Sequence, residues 1–348
     1  PMVASGGSSE RKIDEVNQAL FPLAGSFSQQ TDKEMTTFTG SIHRDNWTQF
    51  NAIALPLLLS PGFREDDFRR LKDAQRNALL LDLKDNNEEE FAKERLQTNV
   101  YAGTPYGHPV LGTLAGIDAI TLDDVKQFWK SAYAQGAVKV GISGDVSAAM
   151  TATLTQALAS LPAGAGLPAT VKPVGRKAQG LEVEIIEKNT RATAISFGLP
   201  LEVTRTHPDF PALWLAKTWL GEHRASNSYL YQRIRELRGM NYGDYAYIEA
   251  FPRGMVQFFP NPNLGRKAQL FEIWIRPVAP DNAHFALRVA LTELGQAHRQ
   301  WLDARRFRHH ARLPDEKRLC HDLDARPATG LCARFSMVWH ARVHQADA

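Results

Sequence analysis

The sequence predicts an α+β chain of two tandem domains, each an antiparallel sheet with helices packed on one face. Three observations predict it. Segments of helical spacing and segments of strand alternation are intermixed along the chain rather than grouped. Short polar turns such as Lys188–Arg191 join strand-like runs as hairpins do. A stretch rich in Pro, Gly and Ala, residues 163–180, divides the series in two.

In the first domain, residues 1–162, Ile13, Val16 and Leu20 share one helical face, and Glu34–Ile42 alternates as a strand. Asn46–Leu59 is an apolar helix that Pro56 should break or kink, because proline has no N–H to bond the preceding turn. Phe63–Leu83 reads as one long helix with Phe68, Leu71 and Ala78 on one face. Glu88–Val100 opens with three acids, which suit the partial positive charge of a helix start. Thr121–Tyr133 is a capped helix, with Thr121 at the N-cap and Asp124 at the reciprocal position. Val138–Ser143 is a strand and Ala148–Leu161 a closing helix.

The second domain, residues 181–296, restarts with the strands Leu181–Glu187 and Ala192–Gly198. A helix over Phe210–Gly221 comes next, then a second ending near Leu237. The strands Tyr242–Phe251, Met255–Pro260 and Leu270–Val278 precede a helix from Asn282 to about Leu294.

An apolar fraction of 43% with 23% charged residues describes a globular chain, not a disordered one. No apolar run approaches the ~20 residues of a membrane span. The opening residues, Pro1–Ser9, lack the basic start and apolar stretch of a signal peptide. A chain that starts with Pro1 leaves localisation open: periplasmic or secreted with an upstream signal, otherwise cytoplasmic. The net charge of +3 is concentrated in residues 297–348, which hold nine Arg and one Lys against five Asp and one Glu. That segment is +4 and the rest −1, so the body offers no basic face for nucleic acid. Both cysteines, Cys320 and Cys332, and six of the eleven histidines lie in the same segment. It shows no helical or strand periodicity, and a shifted reading frame is the expectation, with a divergent basic extension as the alternative.

The most informative stretch is Ser228–Phe251, SYLYQRIRELRGMNYGDYAYIEAF, which reads as helix, Gly-containing turn and Tyr-rich strand. It places Arg235 at the end of the helix and Tyr242 at the mouth of the strand. A guanidinium and a phenol at such a junction can both donate to a carbonyl oxygen that is acquiring charge. Other metal-like patterns are weaker. Trp219-Leu-Gly-Glu222-His223 has a Trp where a first ligand would stand. His340 and His344 have i, i+4 spacing without a general base between them, and His108 reads as a loop residue.

The segment above, with HPDFPALWLAKTWLGEHRASN before it, resembles the second domain of the insulinase/pitrilysin family of zinc metallopeptidases (M16). TPYGHPVLGT (Thr104–Thr113) and FWKSAYAQGAVKVGISGDV (Phe128–Val146) resemble family elements in the same order, so the likeness covers most of residues 10–295. The family's metal motif, HxxEH, occurs nowhere in the sequence, and Pro1–Gly7 resembles the residues directly after its second histidine. The resemblance implies a metalloendopeptidase that encloses a peptide substrate between two halves, one holding zinc and the other extending the Arg/Tyr pair. It implies catalytic roles for Arg235 and Tyr242. Asp82 takes the place of the family's third, acidic metal ligand, with Glu88 as a rival carboxylate and solvated acids as the plain alternative. Lacking HxxEH, this chain is expected to be inactive alone and to bind no zinc alone. It would act as a fragment, or as one member of a homodimer or a heterodimer with a zinc-bearing subunit. The alternative is a purely structural or interaction subunit with no role in proteolysis.

Overall fold

The computed structural model describes residues 1–168, 172–251, 265–300 and 334–341. Through residue 168 the elements are α1 (Met2–Ser5), α2 (Ile13–Leu20), β1 (Ser26–Thr31), β2 (Thr36–His43), α3 (Trp47–Leu59), α4 (Glu65–Asn77), α5 (Glu88–Val100), α6 (Leu114–Ala119), α7 (Leu122–Ala132), β3 (Val138–Ser143) and α8 (Ala148–Leu158). Then come β4 (Thr193–Leu201), α9 (Phe210–Gly221), β5 (Asp244–Tyr247), β6 (Gln269–Val278), α10 (Pro280–Gln300) and β7 (Arg334–Ala341). Helices and antiparallel sheets are mixed, an α+β fold. By their contacts, residues 1–79, 110–168 and 334–341 form one compact unit and residues 80–109, 172–251 and 265–300 another. Residues 80–109, which precede the Pro/Gly-rich stretch, therefore group with the residues beyond it.

The first unit is built on the antiparallel sheet β1-β2-β7-β3. Alternate residues of β2 are buried, and Phe38 and Ile42 on that face join the core made by Phe50, Leu57 and Leu58 of α3. Gly40 lets the helix approach, since a Cβ there would lie 2.8 Å from Cζ of Phe50. Helix α3 runs unbroken through Pro56. The carbonyl of Ala52, which Pro56 cannot serve, accepts a hydrogen bond from the Arg11 guanidinium at 3.4 Å. Helix α7 has the expected cap: Thr121 Oγ1 accepts from the Asp124 N–H at 3.2 Å, and Asp124 Oδ2 accepts from the Thr121 N–H at 2.8 Å.

Several sequence expectations need correction. Phe63–Leu83 is not one α-helix: α4 stops at Asn77 and Ala78–Asp85 continues as a π-helix, with the Asn86 N–H on the Leu81 carbonyl. Ser26–Thr31, too polar to signal itself, pairs with β2 over its whole length. The segment 297–348 is not without regular structure. Helix α10 runs on to Gln300, and β7 lies between β2 and β3 with Phe38 opposite Trp339 and Val140 opposite the same residue. Within Arg334–Ala341 the apolar Phe335, Met337 and Trp339 do alternate, so the strand period is present but only one element long. Cys320, Cys332, His344 and the strand expected over Met255–Pro260 lie outside the described residues.

The second unit carries the sheet β4-β6-β5. Successive side chains of a strand point to opposite faces. Ile273 and Ile275 of β6, with Ala246 of β5, pack on Leu220, Leu230, Ile234, Ala286 and Ala290, from α9, α10 and the turn of helix between them. Trp274 and Arg276, on the other face, meet α5: the Lys93 ammonium lies 3.3 Å from the Trp274 ring centre and Glu89 accepts from Arg276 at 2.7 Å. Residues 181–187, expected as a strand, stand outside the strands. Their alternation is used differently. Glu182 and Glu184 pair with Arg176 and Arg95, while Leu181, Val183 and Ile185 face solvent.

Candidate functional site

Ser228–Glu236 is seated by Leu230 and Ile234, four residues apart on one face and both fully buried in the second unit's core. Its last part, Tyr231–Glu236, is a π-helix, with the Leu237 N–H reaching back to the Gln232 carbonyl. Such wide turns are uncommon and concentrate at functional sites. Gly239, at φ +61°, closes the turn by donating its N–H to the Arg235 carbonyl at 2.7 Å. The outward face is cationic and aromatic. Arg233 pairs with Glu293 and donates to the Tyr229 hydroxyl at 2.8 Å. Arg235, about a third exposed, pairs with Glu236 and lies 5.0 Å from the Tyr231 ring centre.

Tyr242 comes next, on the turn into β5, and is 78% exposed, while its neighbours Asn241 and Asp244 are buried. Asn241 uses its whole amide. Nδ2 donates to Asp244 Oδ1 at 2.8 Å and to the Arg276 carbonyl at 3.0 Å, and Oδ1 accepts the Gly243 N–H at 3.2 Å. Gly243 has φ +152°, and a Cβ there would meet the Tyr245 hydroxyl at 2.5 Å. Burial pushes the Asp244 carboxyl up to about 8, against the opposing pull of Asn241 and Arg276. Burial likewise raises Glu89, although its bond to Arg276 resists this. Arg235 and Tyr242 thus flank one turn of one unit, as the sequence places them. Among the described residues no hydrogen bond or ring contact joins the two.

Among the described residues, the acids and histidines singled out from the sequence do not come together as a zinc site. Asp82 is exposed on the first π-helix. Glu88 is engaged, accepting from Lys188 Nζ at 3.3 Å and from Thr190 Oγ1 at 3.1 Å. Burial opposes ionisation of Glu88, but its helix-start N–H, Thr190 and Lys188 together hold its carboxyl below the ordinary range. Among the described residues no group of three His, Cys, Asp or Glu could hold a metal. The Glu222-His223 pair lies beyond the end of α9. Gly221 is required there because a Cβ would meet the Ala246 nitrogen at 2.6 Å. Glu222 is bound to Lys217 at 2.7 Å, and His223 touches the Tyr247 hydroxyl amid Tyr245 and Phe251. His108 is half-buried in a loop built on Tyr106, which is fully buried against Tyr101. His340 sits in β7, a strand, so i, i+4 spacing places no helical pair there.

Sequence reasoning missed Asn241, Glu89 and Arg276. Glu89 stands between two other acids at a helix start, and nothing local distinguishes the one that is buried. A polar Asn directly before Tyr-Gly is a turn signal that could have been read.

Comparison with known proteins shows what this chain is similar to in sequence and fold. Residues 119–265 match the family model described as the peptidase M16 inactive domain. Sequence relatives include an uncharacterized zinc protease of Streptomyces coelicolor, 23% identical over 258 residues, covering 70% of this chain and 53% of that protein. The non-peptidase homolog YmxG of Helicobacter pylori is 28% identical over 190 residues, 54% of this chain and 42% of that one. A probable mitochondrial-processing peptidase subunit beta of Arabidopsis thaliana is 22% identical over 222 residues, 62% and 40% of the two chains. The chain therefore spans about half the length of the curated relatives it matches. Among solved structures, the peptidase M16 inactive domain of Pseudomonas fluorescens superposes with a TM-score of 0.75 at 23% identity, over 89% of this chain and 70% of that one. A protease of Helicobacter pylori gives 0.70 at 15% identity, over 92% and 73%. Residues 119–265 thus resemble the M16 inactive-domain type, and the chain is similar to M16 relatives in sequence and to an M16 inactive domain in fold.

Proposed function

We propose that this chain is a non-catalytic M16 subunit that lends Arg235 and Tyr242 to peptide-bond hydrolysis by a zinc-bearing subunit. The observation that carries the reading is the exposed Tyr242 phenol on a turn fixed by buried neighbours, seven residues after Arg235 in the last turn of a π-helix. Both groups are donors; Tyr242 is open to solvent, and Arg235, though paired with Glu236, is about a third exposed. Directed at a peptide carbonyl, they would bond the oxygen more strongly as it gains negative charge, which lowers the barrier rather than tightening ground-state binding. The metal chemistry belongs to the partner in this reading, since this chain's described residues assemble no metal site. The Arabidopsis relative is named as a subunit of a peptidase, which supports a reading in which this chain acts beside another subunit. A second reading, a purely structural or interaction subunit, is favoured by the similarity to a non-peptidase homolog and by the engagement of Arg235 with Glu236.

The test is a reconstituted pair of this chain with a zinc-bearing M16 subunit. Arg235→Ala and Tyr242→Phe should each lower kcat by about 10²–10³-fold with KM little changed, as for other oxyanion donors. Wild-type turnover in both variants, with folding verified, returns the chain to the structural reading.

A further inference from the structure

We propose that Asn241 is a positioning residue, holding the Tyr242 turn so that the phenol is presented in one orientation; this rests on the reading of Tyr242 given above. The turn carries an aromatic that is 78% exposed, which by itself would order nothing, so its direction must come from its flanks. Asn241 supplies that. Its amide makes three hydrogen bonds within the second unit, to the Gly243 N–H, to Asp244 Oδ1 and to the Arg276 carbonyl, at 3.2, 2.8 and 3.0 Å. The first closes an Asx turn over Tyr242 itself. The second reaches β5 and the third β6, so the residue before Tyr242 is pinned to both strands. The chain of bonds continues from Arg276 to Glu89 at 2.7 Å, on α5. An aspartate at 241 would keep the acceptor but lose both donors, and an alanine would lose all three bonds.

The experiment uses the full chain and needs no peptidase activity for its first arm. In Asn241→Ala the Gly243 amide should exchange at least about tenfold faster and the Tyr242 ring should gain motion by NMR relaxation. The amides of Ile273 and Ile275 in β6 should stay protected, which a general loss of stability would not allow. Asn241→Ser, whose hydroxyl can still accept the Gly243 N–H, serves if the alanine variant does not fold and should give a smaller change of the same kind. Unchanged exchange at Gly243, or loosening spread equally through β6, overturns the proposal. The second arm is turnover in the pair with a zinc-bearing M16 subunit. Asn241→Ala should lower kcat by up to about 10²-fold at unchanged KM, the scale of a misplaced catalytic group. Combined with Tyr242→Phe it should cost nothing further. Additive losses overturn the positioning role while leaving Tyr242's intact; wild-type turnover in Tyr242→Phe instead sinks the catalytic role of Tyr242, while the exchange arm still decides what Asn241 does.

Discussion

At the scale of single residues, the second unit holds charge where charge is costly. Asp244 is fully buried, and desolvation lifts its carboxyl to about 8 despite Asn241 beside it and Arg276 nearby, with Glu89 across on α5 adding to the lift. The folded state therefore keeps a proton that the unfolded chain releases near the ordinary carboxylate value. Between roughly pH 4 and about 8 the folded protein binds more protons, so this group makes stability fall as pH rises, by up to about 1.4 kcal/mol per unit. Asp244→Asn mimics the neutral form and should flatten that slope. Denaturant titrations of both proteins from pH 5 to pH 9 check it; parallel curves would show that Asp244 is ionised when folded. Its burial was not readable from sequence, where nothing in Gly-Asp-Tyr marks this acid as enclosed. Burial was decided by β6 and α5, which are far away in the chain.

Among the elements, α5 is held to β6 by side chains usually kept in water. Arg276 is a quarter exposed and its Glu89 partner is buried. Burial would push the guanidinium down, but Glu89 and Tyr245 keep it above its ordinary value. Removing one member strands the other, so Arg276→Ala should cost about 3–5 kcal/mol, whereas replacing both with apolar residues of similar size should cost far less. A double-mutant cycle by thermal or denaturant unfolding checks this; a loss below about 1 kcal/mol for Arg276→Ala would mean that water serves Glu89. The helix itself was legible, because three acids at its start announce it. Its destination was not, since α5 precedes the Pro/Gly-rich stretch yet packs with residues beyond it. The π-helices at Ala78–Asp85 and Tyr231–Glu236 were likewise read as ordinary helix, because the extra residue per turn leaves no mark on so short an apolar pattern.

For the whole molecule, the last strand settles how the first unit is completed. β7 pairs with β2 from Thr36 to His43 and with β3 from Val138 to Ser143, so it satisfies the facing edges of both. Deleting residues 326–348 should open two edges at once, leaving unpaired backbone groups that invite association with other chains. The expected outcome is fast amide exchange in β2 and β3 and early proteolysis of the first unit, with α9 and α10 unaffected. Equal protection with and without the segment would show that β7 contributes nothing to the sheet. The coding DNA remains the direct test of reading frame.

What the sequence determined by itself was local. Apolar periodicity and caps placed α2, α3, α5, α7, β3 and β6 close to their observed bounds, because each is specified by residues within one or two turns of itself. The order of such segments was also enough to reveal the M16 likeness and to single out Arg235 and Tyr242. Only the tertiary structure decided which carboxylates are buried, that residues 181–187 join no strand, that Ser26–Thr31 becomes one, and that Arg334–Ala341 enters a sheet whose first strands lie near the other end of the chain. Those outcomes depend on desolvation and on backbone pairing with distant partners, and neither leaves a trace in the local order of side chains.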